Sequence, residues 1–316
     1  MHRSPTKAQA TIAYSCHADC SRENIGDVLS GQGIATIAGF KRARYLKLPR
    51  DLGQRVPALL VYGGGGMVRP RFSQREVYHD FQRRSKTPYH IYGVGLNQDC
   101  QGKDFISHDF AALGQWLRRA VSVTVRDRST QRFIREKTGL RARVAPCPSY
   151  SAIKLLKNPP ADKLYSIGIV PSFGHTQTYK NFEPQIVALI HDIIGASQDK
   201  RCCLICHDQA DYETAKKLFG GQADIYRPKN IREVQRIYAR CQGVITCRAH
   251  GIIFSAAVGR PCSPVILSDK LSHLYAYHYG RKISKINFNA SFHMQQLSKG
   301  RLPIDIRADH PFFNFS

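Results

Sequence analysis

The sequence predicts an α/β protein built from two doubly wound domains facing a cleft. Short apolar, β-branched runs alternate with helix-length amphipathic segments throughout, as in a parallel sheet covered by helices. The apolar runs end at glycine or polar residues, so each reads as a strand entering a turn. At 316 residues the chain also exceeds the size at which one core keeps growing, which favours two domains of roughly 150 residues.

In the first half the strand candidates are Thr11 to Tyr14, Ala58 to Tyr62, His90 to Val94 and Val121 to Val125. In the second they are Tyr165 to Val170, Cys202 to Cys206, Ala223 to Tyr226, Gly243 to Thr246 and Pro264 to Leu267. Helices are expected over Phe182 to Gly195, Tyr212 to Phe219, Ile231 to Cys241 and Gly251 to Val258, the last stopped by Gly259 with Pro261 beyond. Pro146, Pro148, Pro159 and Pro160 bracket an aperiodic basic stretch, which puts the boundary near Ser149 to Lys163 and the domains at 1–155 and 156–316.

Hydrophobic residues make up 42% and charged residues 22% of the chain, a globular balance that excludes a disordered protein. The 47 Lys and Arg against 23 Asp and Glu leave a formal charge of +24, so anionic partners are expected: nucleic acid, anionic lipid headgroups, acidic polysaccharide or phosphorylated small substrates, which charge alone does not rank. No apolar run approaches the ~20 residues of a membrane-spanning helix, and Met1 to Ala10 lacks an apolar signal core. The expected location is cytoplasmic, with the basic surface available to the inner face of the membrane. The ten cysteines read as reduced, mostly buried thiols. Cys203 and Cys206 have CxxC spacing, and Cys16 and Cys20 flank His17, but Leu204-Ile205 continues a strand and no metal is expected.

Ligands of doubly wound sheets bind where strands turn into helices at their carboxyl ends. Asn24-Ile25-Gly26-Asp27 follows the first strand, where a glycine and free helix-start amides suit an anion, although Asn24 or Asp27 serves equally as an N-cap. Gly63, Gly64, Gly65 and Gly66 follow the second, a run found where backbone bends sharply or meets a ligand. It is neither a P-loop nor a GxGxxG fingerprint. Arg126 is the first residue past strand Val121 to Val125 and is expected to reach an exposed position in the cleft, with Asp127 as a helix cap. His207-Asp208 follow Cys202 to Cys206, where a carboxylate beside the imidazole would orient it as an acid or base, although such a pair serves equally as a capped turn. Arg248 and His250 stand two apart at a strand-to-helix turn, an anion site with a proton donor, and Lys270 follows the next strand after Asp269.

In this order the turns resemble the polysaccharide pyruvyltransferase family: Asn24 to Asp27, Gly63 to Gly66, Ser-Val-x-Val-Arg-Asp-x-Ser over Ser122 to Ser129, Arg248-x-His250 with Gly259-x-Pro261, and Asp269-Lys270. The resemblance implies a fold similar to GT-B glycosyltransferases, with two Rossmann-like domains. It implies transfer of a pyruvyl group from phosphoenolpyruvate to a sugar diol of a polysaccharide or lipid-linked glycan, forming a ketal and releasing phosphate. No cofactor is implied, phosphoenolpyruvate being a donor substrate. Arg126, Arg248, His250 and Lys270 correspond to positions that hold or act on the donor. His250 and Arg248 would be catalytic, and Arg126, Lys270, Gly63, Gly64, Gly65, Asn24, Asp27 and His207 substrate-binding. One departure is Pro146-Cys147-Pro148 where many members carry Asp-Pro, so that position lacks a fixed negative charge. The alternatives are a GT-B glycosyltransferase using a nucleotide sugar and a non-enzymatic polyanion-binding protein. Basic residues spread over both halves without a known module argue against specific nucleic-acid binding.

Overall fold

The computed structural model describes residues 11–15, 24–37, 42–45, 59–69, 72, 78, 82, 88–96, 107–156, 162–173, 180–197 and 201–306. Met1 to Ala10, the Cys16-His17-Cys20 group, Pro159 and Pro160 lie outside the described residues. By internal contacts the chain divides into two compact units. One contains Asp27–Ala152 with the first strand; the other contains Ile153–Ile306 together with the short stretch ending at Gly26.

The first unit holds strands β1 (Thr11–Ser15), β2 (Arg42–Tyr45), β3 (Leu59–Gly63), β4 (His90–Val94), β5 (Ser122–Val125) and β6 (Arg143–Val144). They form a 6-stranded sheet in the order β2-β1-β3-β4-β5-β6, with parallel pairing throughout. The helices are α1 (Ile25–Ile37), whose first two residues group with the second unit, α2 (Ser107–Arg119), α3 (Arg128–Thr138) and α4 (Pro148–Leu155). Tyr62, Trp116, Phe72 and Tyr89 centre the core on one sheet face. The Tyr89 hydroxyl donates to the Trp116 carbonyl at 2.5 Å, which satisfies a phenol that burial would otherwise leave costly. Amphipathic α3 starts where Asp127 accepts the Thr130 N–H at 2.7 Å and stops at Gly139, whose φ of 74° only glycine adopts without strain.

The second unit holds β7 (Tyr165–Val170), β8 (Cys202–Ile205), β9 (Asp224–Tyr226), β10 (Cys241–Thr246) and β11 (Cys262–Pro264). They form a 5-stranded parallel sheet in the order β11-β10-β7-β8-β9. Its helices are α5 (Glu183–Ala196), α6 (Gln209–Phe219), α7 (Ile231–Arg240), α8 (Ala249–Ala257), α9 (Asp269–Tyr279) and α10 (Ala290–Ser298). Both sheets therefore wind outward from an inner pair of strands, as the sequence predicts for a doubly wound α/β fold.

One expectation shifts, and two parts of the fold had none. The strand placed at Pro264 to Leu267 ends at Pro264, because the Leu267 N–H folds back onto the Val265 carbonyl at 2.9 Å. Edge strands β2 and β6 had no sequence expectation. The stretch after Ile286 contributes α10, whose Met294 and Leu297 pack on the second core while His293 bonds the Ser263 hydroxyl at 2.8 Å.

The CxxC spacing does not gather its thiols. Cys206 lies in the core cluster with Cys202 and Leu204, while Cys203 points to the other face. There its sulfur lies 3.7 Å from that of Cys241, across β7 at Gly168, where a Cβ would stand 2.7 Å from the Cys241 sulfur.

His207 and His278 are each 1% exposed, and burial pushes both pKa values down to about 3. The folded state thus resists protonation that the unfolded chain accepts near 6.5. Their contribution is complete above that value and is lost as pH falls from it towards 3, so stability rises with pH across this window. Each histidine contributes a slope of about 1.4 kcal/mol per pH unit. Unfolding free energy measured between pH 6 and 4 is expected to fall accordingly, and His278→Gln to reduce the slope by one histidine's share. An unchanged slope in the variant would remove His278 from this account.

Candidate functional site

The first sheet reverses its winding between β1 and β3, so the turn leaving β3 stands at its switch point. That turn is Gly64 to Gly66. Gly64 and Gly65 adopt φ of 68° and 60°, a region closed to most side chains. The turn is pinned to the exit of β4: the Gly64 N–H donates to the Tyr92 carbonyl at 3.0 Å, and the Gly95 N–H donates to the Gly65 carbonyl at 2.9 Å. Gly93, at φ 64°, coincides with a register irregularity between Ile91 and Val94 that turns the end of β4.

The bend brings Gly95 against the guanidinium of Arg126, where a Cβ would fall 2.0 Å from Nε. Arg126 is not exposed as expected but 1% accessible. Its Nη2 donates to the Leu96 carbonyl at 3.4 Å, and its Nε lies 3.6 Å from the Asp127 carboxylate. Nε and Nη1 have no hydrogen-bond acceptor among the described residues. Arginine retains its charge, so a buried guanidinium with open donors is a costly arrangement that an entering anion would relieve. Gly95 is the residue that sequence reasoning missed here; its signal was a second glycine two positions after Gly93 at a strand end.

The second sheet reverses between β7 and β10, and Arg248 and His250 leave β10 at that point. Arg248 is not a free cation. Its Nη2 pairs with Asp208 Oδ2 at 2.5 Å and with Asp211 Oδ2, and its Nε donates to the Pro171 carbonyl at 3.1 Å. Asp211 was not foreseen. It is fully buried on α6, and its other oxygen accepts the Phe173 N–H at 2.8 Å.

Asp208 does not orient His207. It caps α6 by accepting the Asp211 N–H at 2.9 Å and gives its second oxygen to Arg248. The His207 ring instead bonds the Tyr238 hydroxyl through Nε2 at 2.8 Å, and burial, then the Arg248 charge, keep it neutral at physiological pH. His207 is therefore a core histidine rather than a reserve acid.

His250, 9% exposed, lies along Phe254 with ring centroids 5.6 Å apart and planes at 29°. Its other face meets Gly26: a Cβ there would stand 1.9 Å from His250 Nδ1. Asn24 caps the start of α1, its Oδ1 accepting the Gly26 N–H at 3.0 Å, while the Ile25 N–H donates to the His207 carbonyl at 2.9 Å. The first motif thus serves the fourth: Asn24 and Ile25 fix the backbone that leaves His250 its slot. Asp27, 4% exposed, sits in the first turn of α1, where the helix dipole favours a carboxylate. Lys270 is half-buried at the second position of α9, after the loop that replaces the end of the expected strand.

Gly26→Ala is expected to push the His250 imidazole out of its slot and to cost about 1 to 3 kcal/mol, the usual penalty of overpacking. The His250 ring resonances in an NMR spectrum, assigned with His250→Gln, check this. Unmoved resonances in a folded Gly26→Ala variant would show that the glycine does not position the ring.

Among the described residues no helix is long and apolar enough to cross a membrane. No curated protein matches the chain. Solved structures similar to it include UDP-GlcNAc 2-epimerase from Methanocaldococcus jannaschii, at 10% identity over 91% of this chain and 92% of that one, with a TM-score of 0.52. S. aureus MnaA with UDP gives 9% identity, 92% and 88% coverage and a TM-score of 0.58. The Neisseria meningitidis UDP-GlcNAc 2-epimerase bound to UDP-GlcNAc gives 8%, 92% and 90% coverage, and 0.54. At such identities the likeness is one of fold, and that fold is GT-B-like. The sequence itself matches the family Polysaccharide pyruvyl transferase over residues 24–269, a span that contains the turns from Asn24 to His250 and ends one residue short of Lys270. The chain belongs to the polysaccharide pyruvyl transferase family.

Proposed function

We propose that the protein transfers a pyruvyl group from phosphoenolpyruvate to two hydroxyls of one sugar in a glycan, forming a cyclic ketal and releasing phosphate. Family membership across residues 24–269 is the observation that carries this reading. The open donors of buried Arg126 support it, because phosphoenolpyruvate presents a carboxylate and a phosphate to whatever cation receives it.

In this reading a proton from His250 reaches the methylene carbon, and positive charge develops at the neighbouring carbon. One sugar oxygen bonds to that carbon; the second then displaces phosphate as the carbon–oxygen bond to phosphorus breaks. The two hydroxyl protons balance the proton gained by the methyl group and the one carried off by phosphate. Arg126 and Lys270 hold donor anions. Arg248 contributes through its position beside His250, since Asp208 and Asp211 already claim its charge.

Phosphate release from phosphoenolpyruvate across a panel of sugar acceptors tests the reaction. Release that depends on a diol acceptor is expected; none with any acceptor, alongside a melting temperature raised by a nucleotide sugar instead, would replace this reading with glycosyl transfer.

Arg126→Met is expected to weaken phosphoenolpyruvate binding about ten- to a hundredfold, the loss of a charge-assisted contact. The same change removes a buried charge with open donors but leaves the Asp127 carboxylate without its partner, so the fold is expected to lose less than the ~3 to 5 kcal/mol that breaking a fully paired buried ion pair costs. Titration calorimetry and thermal unfolding read the two effects separately. Lys270→Ala should weaken binding with little effect on unfolding. His250→Gln should retain donor affinity and lose about a hundred- to ten-thousandfold in turnover, because an amide donates a hydrogen bond but no proton. The wild-type fall in activity with rising pH that a histidine acid produces should be missing from the variant. Near wild-type turnover in His250→Gln would take it out of the mechanism.

A further inference from the structure

We infer a second anion site on the outer side of α3, built for a ligand carrying two linked phosphates. A recess of about 460 Å³ is lined by Arg128, Gln131, Arg132, Arg135 and Arg141. It lies wholly in the first unit, and its lining shares no residue with the Arg126 or Arg248 sites. The inference goes beyond pyruvyl transfer and stands without it.

The helix is arranged to gather these charges. Arg128, Arg132 and Arg135 are spaced i, i+4 and i+7, which keeps them within about 60° of arc on one face. Thr130 and Ile134 are the helix's buried residues and hold its other side in the unit. Arg141 reaches the recess from the segment that follows Gly139, and Gln131 is tied down by donating from Nε2 to the Ala142 carbonyl at 2.8 Å.

The placement is costly without a ligand. Like charges at i and i+4 destabilise a helix by a few tenths of a kcal/mol per pair. Arg128 also occupies the first turn, where the helix dipole disfavours a cation and the adjacent carboxylate, the N-cap Asp127, is engaged by the Thr130 N–H and lies beside Arg126. Among the described residues none of the four arginines has a carboxylate partner within ion-pair distance, Glu136 on the same helix included. All four are exposed, so water bears part of this cost, yet nothing in the local packing calls for the clustering.

The residue type narrows the ligand. Guanidinium forks match phosphate oxygens two at a time, which an ammonium cannot do. Four such forks carry four positive charges; a single phosphate brings about two negative charges at neutral pH and would leave half of them unanswered. Two linked phosphates come closer to balance and fit a recess of this volume. The diphosphate could belong to a soluble molecule or to a lipid-borne one.

Titration of the full-length chain with inorganic pyrophosphate at fixed ionic strength tests the assignment, with and without saturating phosphoenolpyruvate. One-to-one binding is expected to survive phosphoenolpyruvate and to weaken at least tenfold in Arg132→Gln/Arg135→Gln. Arg128→Gln/Arg141→Gln, which alters the rest of the lining, should behave alike, and phosphate release from phosphoenolpyruvate should persist in both. Pyrophosphate binding that both variants retain, or that phosphoenolpyruvate abolishes, would overturn the assignment while leaving the pyruvyl-transfer reading untouched. Displacement of pyrophosphate by random single-stranded RNA at much lower phosphate concentration would overturn it in favour of a nucleic-acid surface. Cosedimentation with phosphatidylcholine vesicles that do or do not contain a diphosphate-headgroup lipid separates the two sources; recruitment by that lipid, lost in the variants, supports a lipid-borne ligand.

Discussion

The turns at the switch point of the second sheet depend on one guanidinium. Arg248, leaving β10, donates to the last turn of β7 at Pro171 and pairs with Asp208 and Asp211 at the start of α6, after β8. Asp211 returns to β7 through the Phe173 N–H. Three strand ends are thereby held in one charged knot in which the carboxylates are 5% exposed or less. Removing one partner from such a buried set typically costs about 3 to 5 kcal/mol, because the remaining charges lose their compensation. An Arg248 substitution that abolishes activity would therefore report the loss of this knot before it reported any lost contact to substrate.

The winding of both sheets was legible because inner parallel strands are buried on both faces and read as unbroken apolar runs, as in Tyr165 to Val170 and His90 to Val94. The strands that escaped notice, Arg42–Tyr45 and Arg143–Val144, stand at the two ends of the strand order, and their short arginine-bearing sequences show no unbroken apolar run. The turns were legible for a related reason: glycine, arginine and histidine immediately after an apolar run break its pattern. Their partners were not. Asp211 and Gly95 look like an ordinary helix carboxylate and an ordinary loop glycine, and their meaning comes from elements that meet only after folding. The contact of Gly26 with His250 joins residues more than two hundred positions apart, and no local pattern encodes it.

Arg126 and Arg248 looked alike in the sequence, each just past a strand and each a cation awaiting an anion. Their surroundings separate them. Arg248 faces two carboxylates, so its neighbourhood is already short of positive charge. A bound anion there would meet repulsion from at least one aspartate, which leaves the site poorly suited to capture of a phosphate. Among the described residues Arg126 has one carboxylate at 3.6 Å, and two nitrogens of its buried guanidinium have no acceptor. The same burial that makes those donors costly in the empty protein would strengthen their attraction for an anion, since little water remains to screen it. Of the two, Arg126 is the cation whose described neighbours leave more of its charge unanswered.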